Sequence, residues 1–238
     1  MRDAWLEADA LGVDAIFTYD HFFPAEGDAD GPVFEGWTTL AALAQVTSSA
    51  EVGCLVAANS FRNPNLLADM ARTIDHISGG RLILGIGSGW VEKDYFEYGY
   101  DFGTPVSRLQ DLVTNVPIIK DRLTRLNPPP VDGTLPILIG GGGEKVTLKL
   151  VAEHADIWHF FGSLEDGIRK SAVLEEWMAK LGRDPRSIER AINLFESNFS
   201  NIESYVSAGF THFTIVSSGP EWNLEFLKQA VGWRNNRA

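Results

Sequence analysis

Seven short runs rich in Ile, Val, Leu and Phe recur along this chain, each followed by a longer amphipathic segment. The runs are Asp14–Asp20, Glu51–Ala58, Arg81–Gly87, Pro136–Gly141, Asp156–Phe161, Glu189–Phe195 and His212–Ser217. They have the pattern of parallel strands buried on both faces. Strand, helix, strand, helix throughout calls for a parallel α/β sheet with crossover helices. Two architectures satisfy that: a closed (β/α)8 barrel and an open doubly wound sheet. A barrel takes about 250 residues, near the 238 here. No repeat, low-complexity tract or linker interrupts the chain, so one (β/α) barrel domain over residues 1–238 is expected.

The clearest helix is Pro64–Ser78. Asn63 suits its N-cap and Pro64 its first position. Leu66, Leu67, Met70, Ala71, Ile74 and Ile77 form one stripe, and Gly79-Gly80 stop it. Other helices are expected to begin near Trp37, Ser107, Glu144, Leu164, Asn201 and Glu221, and one opens the chain at Arg2–Leu11.

Composition narrows the function. The net charge of −12 argues against a nucleic-acid partner, which wants a basic face. No stretch approaches the ~18 apolar residues of a membrane span, and no signal peptide opens the chain. A soluble, cytoplasmic protein is expected. Cys54 is the single cysteine, so there is no intrachain disulfide and no cysteine-rich metal site.

In parallel α/β folds ligands bind beyond the C-terminal ends of strands. Asp20-His21 follows the first run. A histidine beside a carboxylate there suits proton transfer near neutral pH; a loop aspartate with a packed histidine is the other reading. Asn59 follows the second run and both donates and accepts hydrogen bonds, or simply belongs to the turn before the next helix. Gly85-Ile86-Gly87-Ser88-Gly89-Trp90 fails the dinucleotide fingerprint, because Trp90 stands where Gly or Ala is needed. Gly140–Gly143 form a nest of free N–H groups at a helix start, for which phosphate is the economical ligand; a tight turn is the alternative. His159 faces either a ligand or the interior. His154 and His159 lack the zinc-helix pattern, and His76 and His212 read as structural. No nucleophile elbow appears.

The ordered set of motifs resembles the luciferase-like monooxygenase family, and within it the F420-dependent oxidoreductase branch. It comprises Asp20-His21-Phe22, Glu35-Gly36-Trp37-Thr38, Phe61-Arg62-Asn63-Pro64, Ser78-Gly79-Gly80-Arg81-Leu82, Gly85–Trp90, Tyr98-Gly99, Gly140–Lys145 and Ala155-Asp156. The resemblance implies a (β/α)8 barrel that binds F420, or FMN as the alternative, and acts on a small organic substrate. It places Asp20 and His21 near the redox-active ring, with His21 as the proton-transferring residue. Val56, Ala57 and Asn59 would line a ring face, with a non-prolyl cis peptide around Leu55-Val56. Gly142, Gly143, Lys145 and Val146 would hold the cofactor phosphate. Trp37, Trp90 and His159 are assigned to the substrate pocket, no metal is expected, and the expected assembly is a homodimer. Trp90 replaces the active-site glutamate of sugar-phosphate dehydrogenase relatives, so oxidation of a sugar phosphate is not expected. Rival functions on the same fold are an FMN-dependent monooxygenase, a non-catalytic flavin-binding barrel and a cofactor-free sugar-phosphate barrel.

Relatives begin with a strand before the helix at Arg2 and carry a longer segment between Leu126 and Pro136. A parallel barrel must close, since open edges leave N–H and C=O groups unpaired. The seven runs leave a gap between Asp14–Asp20 and His212–Ser217 that the helical Arg2–Leu11 does not fill. An additional strand preceding Met1 is therefore expected.

Overall fold

The computed structural model describes residues 1–24, 27, 28 and 30–237. In chain order its elements are α1 (Arg2–Ala10), β1 (Ala15–Thr18), α2 (Gly36–Val46), β2 (Glu51–Cys54), β3 (Ala57–Ala58), α3 (Pro64–Ser78), β4 (Leu82–Gly87), α4 (Glu92–Tyr98), α5 (Pro105–Arg125), β5 (Ile137–Gly140), α6 (Thr147–His154), β6 (Ile157–Phe160), α7 (Leu164–Leu181), β7 (Glu189–Asn193), α8 (Ile202–Ser207), β8 (His212–Thr214) and α9 (Glu225–Asn235). All seven apolar runs contain strand. The second is split into β2 and β3 by the cis Leu55-Val56 peptide, at the place the resemblance implied.

The chain divides into two compact units. The amino-side unit comprises Phe17–Gln45 and Val52–Gly140; the carboxyl-side unit comprises Met1–Ile16, Val46–Glu51 and Gly141–Ala238.

In the amino-side unit, β4 is the central strand. It pairs in parallel with β2, β3 and β5, and all six of its residues are buried. Its register with β3 sets Ala57 against Ile86 and Ala58 against Gly87. Asn63 caps α3 by accepting the Asn65 N–H at 2.9 Å, and Gly79 closes it in the left-handed region at φ 73°. The buried stripe of α3 includes Leu67, Ala71 and Ile74, and α5 packs beside it. The segment after Leu126 is strapped to α3. The Asp75 carboxylate accepts the Val131 N–H at 2.8 Å, and Arg72 and His76 bond the carbonyls of Pro128 and Pro129. Burying Asp75 is tolerable because its carboxylate has a donor.

In the carboxyl-side unit, β6 pairs with β7 and β7 with β8, all parallel. Successive side chains alternate between the sheet's two faces. Trp158, Phe160, Arg190, Ile192 and Phe213 lie on the helix-covered face. Ile192 lies close to Gly167 of α7, Arg190 pairs with Glu175 of α7, and Phe213 packs edge-on to Trp233 of α9. His159, Ala191, Asn193, His212 and Thr214 occupy the other face. The start of β1 belongs here as well: Asp14 accepts the Glu51 N–H at 2.9 Å and pairs with Arg234 of α9. β1 and β8 are half-buried throughout, unlike β4 and β6. Among the described residues no ladder joins β1 to β8, so the direct pairing that would complete a seven-stranded barrel is not seen.

Candidate functional site

The amino-side unit gathers its polar groups at the C-terminal ends of β1, β3 and β4. His21 leaves β1 and is fixed from across the chain by Asp94, in the first turn of α4. The His21 Nδ1–H donates to Asp94 Oδ2 at 2.7 Å. Asp94 Oδ1 also accepts the N–H groups of Phe22 and Phe23 at 3.0 and 3.2 Å. One fully buried carboxylate thus sets both the loop and the ring. Because Asp94 engages Nδ1, Nε2 is the ring nitrogen left for another partner. Tyr19 flanks the imidazole at 5.5 Å, and Trp90, which is exposed, meets it edge-on at 5.9 Å between centroids.

Asp20 points the other way. It is 2% exposed and accepts three bonds, from the Ala58 N–H at 3.0 Å and from two nitrogens of Arg62 at 2.6 and 3.0 Å. Burial pushes its carboxyl above the ordinary value against the pull of Arg62. Arg62 also holds Glu35, which accepts the first N–H groups of α2 from Trp37 and Thr38. Asp20, Arg62 and Glu35 therefore tie β1, β3 and α2 together. Trp37 is buried beneath this network, with the guanidinium 5.6 Å from its ring centroid.

Val56 is half-buried among glycines. A Cβ on Gly87 would stand 2.7 Å from the Val56 side chain, and one on Gly85 would stand 2.0 Å from the Cys54 carbonyl. Only glycine allows β4 to approach so closely. Ala57 is fully buried, and so is Asn59. Asn59 Oδ1 accepts a bond from Asn115 at 3.2 Å, while its Nδ2 has no partner among the described residues. A buried donor left unpaired costs about 1–3 kcal/mol.

The carboxyl-side unit holds the glycine loop. The carbonyls of Gly141 to Glu144 are engaged by the protein. Gly141, Gly142 and Glu144 accept from Trp158 Nε1, Lys170 Nζ and Trp177 Nε1 at 2.8, 2.6 and 3.0 Å, and Gly143 accepts the Leu148 N–H at 2.9 Å. The N–H groups of Gly142, Gly143, Glu144 and Lys145 have no such partner among the described residues. Carbonyls tied back and amides left free is the polarity an anion site requires. Helix α6 begins at Thr147, three residues later than the sequence suggested, and has no side-chain cap. Lys145 and Val146 are exposed beside it.

His159 lies on the face of β6 turned away from the helices. It is 7% exposed and hydrogen-bonds Thr214 Oγ1 at 3.0 Å. Burial, reinforced by the nearby His212, brings its pKa down to about 4, so the ring is neutral at physiological pH. Asn193 nearby acts in the opposite direction, and its Oδ1 meets no hydrogen-bond donor among the described residues. No group of three or more His, Cys, Asp or Glu suited to a metal occurs among the described residues. None of their helices is long and apolar enough to cross a membrane.

A model of the luciferase-like monooxygenase family matches residues 1–204. The chain belongs to that family. It is similar to the F420-dependent glucose-6-phosphate dehydrogenase of Amycolatopsis mediterranei, with 28% identity over 124 residues, 51% of this chain and 37% of the relative. Among solved structures, the fold is similar to an F420-dependent secondary alcohol dehydrogenase in complex with an F420-acetone adduct. That match has a TM-score of 0.81 at 16% identity and covers 96% of this chain and 92% of the other. A type II Baeyer-Villiger monooxygenase from Pseudomonas putida in complex with FMN has a TM-score of 0.65 at 18% identity, covering 81% and 60%. These likenesses establish an α/β fold of the luciferase-like barrel class. The chain spans less than two thirds of the length of the curated relatives it matches, 64% for a Mycobacterium tuberculosis protein 27% identical over 180 residues.

Sequence reasoning missed Asp94 and Arg62 as partners of His21 and Asp20. It also missed the side chains of Lys170 and Trp177 that hold the glycine loop. The one signal for Asp94 was an acidic first turn after Gly89-Trp90.

Proposed function

We propose that the protein is an oxidoreductase that moves a hydride between the deazaflavin F420 and an organic substrate. The observation that carries this reading is His21, just beyond β1, whose Nδ1 is held by the buried Asp94 carboxylate so that Nε2 is the ring nitrogen left for a substrate. The F420-dependent relatives and the F420-bound structural neighbour support the choice of cofactor. When bound, F420 supplies a hydride acceptor or donor.

The residues of each unit have chemistry that suits such a group. In the amino-side unit, the glycines around Val56 and the orphaned Nδ2 of Asn59 suit a flat ring bearing acceptors. Asp20 would act through Ala58 and Arg62, fixing the backbone beside Ala57. In the carboxyl-side unit, the free amides of Gly142 and Gly143, with Lys145 and Val146 exposed beside them, suit a phosphate. His21 would take the hydroxyl proton of an alcohol substrate and return it in the reverse direction. The Asp94 carboxylate stabilises the imidazolium that forms. Trp90 covers one side of His21, and Trp37 supports Arg62 from below.

An FMN-dependent monooxygenase is the second reading, favoured by the FMN-bound neighbour. Turnover separates the two. With reduced or oxidised F420 and a panel of ketones and alcohols, the F420 absorbance changes under anaerobic conditions. Activity seen only with FMN and consumed oxygen would instead establish the monooxygenase. The same reading carries a homodimer and a single barrel domain as its expected assembly.

A further inference from the structure

In the glycine loop of the carboxyl-side unit, consecutive peptide groups from Gly141–Gly142 to Glu144–Lys145 share one polarity. Their carbonyls accept from Trp158 Nε1, Lys170 Nζ, the Leu148 N–H and Trp177 Nε1 at 2.8, 2.6, 2.9 and 3.0 Å. The N–H groups of the same peptides, those of Gly142, Gly143, Glu144 and Lys145, have no partner among the described residues. In a trans peptide the C=O and N–H point in opposite directions, so whatever grips the carbonyl also aims the amide. Three of these donors are neutral. The Lys170 ammonium is the charged one, and it makes the shortest bond. Lys170 and Trp177 are seven residues, about two turns, apart on α7 and so share a face. The Lys170 side chain is 16% exposed, with Nζ 5.6 Å from the Phe160 ring centroid. Glu144 Oε1 stands 3.5 Å from the ammonium and is held there by Arg169, which also pairs with Asp166 at 2.8 Å.

We infer that Lys170 is a positioning residue for an anion at this loop: it aims the Gly142–Gly143 peptide and adds its charge behind the Gly143 N–H without touching the ligand. A charge-assisted hydrogen bond is roughly twice as strong as a neutral one, and hydrogen bonds in series polarise one another. With the ammonium fixed on the carbonyl oxygen, the amide at the other end of the same peptide becomes the better donor. The mostly buried position of Lys170 limits the screening of that charge by salt. Glu144 opposes it, because its carboxylate lies beside the ammonium and offsets part of the charge. Amides in front therefore meet the anion while the cation stays behind them. The inference rests on the reading of Gly142 and Gly143 as a phosphate site and adds to it a residue of α7.

The test is titration of the full 15N-labelled chain with inorganic phosphate, with F420 and with a truncated F420 that ends before its phosphate. Lys170→Met keeps the apolar stem against Phe160 and loses the ammonium. It is expected to weaken phosphate and F420 about tenfold and to leave the truncated cofactor unchanged. Before any ligand is added, its Gly143 amide proton should move upfield while the Gly142 and Glu144 amides, backed by neutral donors, move less. Lys170→Arg keeps the cation and should restore most of both effects. Glu144→Gln leaves the Lys170–Gly142 bond in place, and without the opposing carboxylate phosphate should bind several-fold more tightly. Equal affinities of the native protein and Lys170→Met for phosphate and F420 overturn the inference alone. So does a shift of all the loop amides together that Lys170→Arg does not reverse, because Lys170 would then only prop the loop. Phosphate bound in a Lys170-dependent way by a protein that ignores F420 defeats the cofactor reading alone. Binding of neither ligand defeats both.

Discussion

His21 and Asp94 lie 73 positions apart in the chain and meet through a hydrogen bond of 2.7 Å between Nδ1 and Oδ2. The same carboxylate accepts two backbone N–H groups of the His21 loop. It therefore fixes where the imidazole sits and which nitrogen bears its proton.

Replacing Asp94 by Asn keeps the shape but offers an amide N–H to Nδ1, favouring the opposite tautomer. The expected result is a fall in kcat of about 10²-fold, and His21→Ala should cost roughly 10²–10⁴-fold with little change in cofactor affinity. The 15N shifts of the His21 ring report the tautomer without any substrate. A D94N protein whose Nδ1 is still protonated, with unchanged kcat, removes Asp94 from the mechanism.

His159 makes stability depend on acidity. Its folded pKa of about 4 lies below the ordinary 6.5. Above pH 6.5 both folded and unfolded states are neutral and the full stability is present. Between 6.5 and 4 only the unfolded chain takes up the proton, and about 3 kcal/mol is lost. Urea denaturation at pH 7 and pH 4.5 should show a steeper loss for the native protein than for His159→Gln. Equal losses would mean that His159 is not buried as a neutral ring.

The glycine loop calls for a more careful test than a bulky substitution. A Cβ on Gly142 would stand 2.8 Å from the Phe160 ring and 3.1 Å from Lys170, so Gly142→Val disturbs packing whether or not a ligand binds. Lys145→Ala is the cleaner change, since Lys145 is exposed. It should weaken F420 about tenfold if it pairs with phosphate. The amide signals of Gly142 and Gly143 should move on F420 addition. If F420 binds while those amides stay still, its phosphate lies elsewhere.

Cys54 ends β2 at 1% exposure, and burial pushes its thiol well above the ordinary value. The thiolate is the reactive form, so a disulfide reagent should leave Cys54 untouched in the native protein and modify it after unfolding. Rapid labelling under native conditions would contradict this packing.

What was legible in the sequence follows from range. Apolar runs and glycine or proline stops act locally, so the seven runs, the caps of α3 and the glycine loop were readable. Helix α4 is seven residues long and mostly charged or aromatic, too short to show a stripe, and it carries Asp94. The partners of buried charges escaped for a related reason. Nothing local joins Asp20 to Arg62, 42 positions away, because only the parallel sheet brings β1 beside the turn after β3. Trp37 and Ala57 show the opposite limit: their place in a family motif did not reveal that both side chains are buried.

The identity of the cofactor is tested most directly by equilibrium titration of the protein with F420 and with FMN. F420 should bind more tightly, with the Asn59 side-chain amide and the Gly142 and Gly143 amides shifting in the same titration. Tighter binding of FMN, accompanied by oxygen-dependent turnover, would contradict the account.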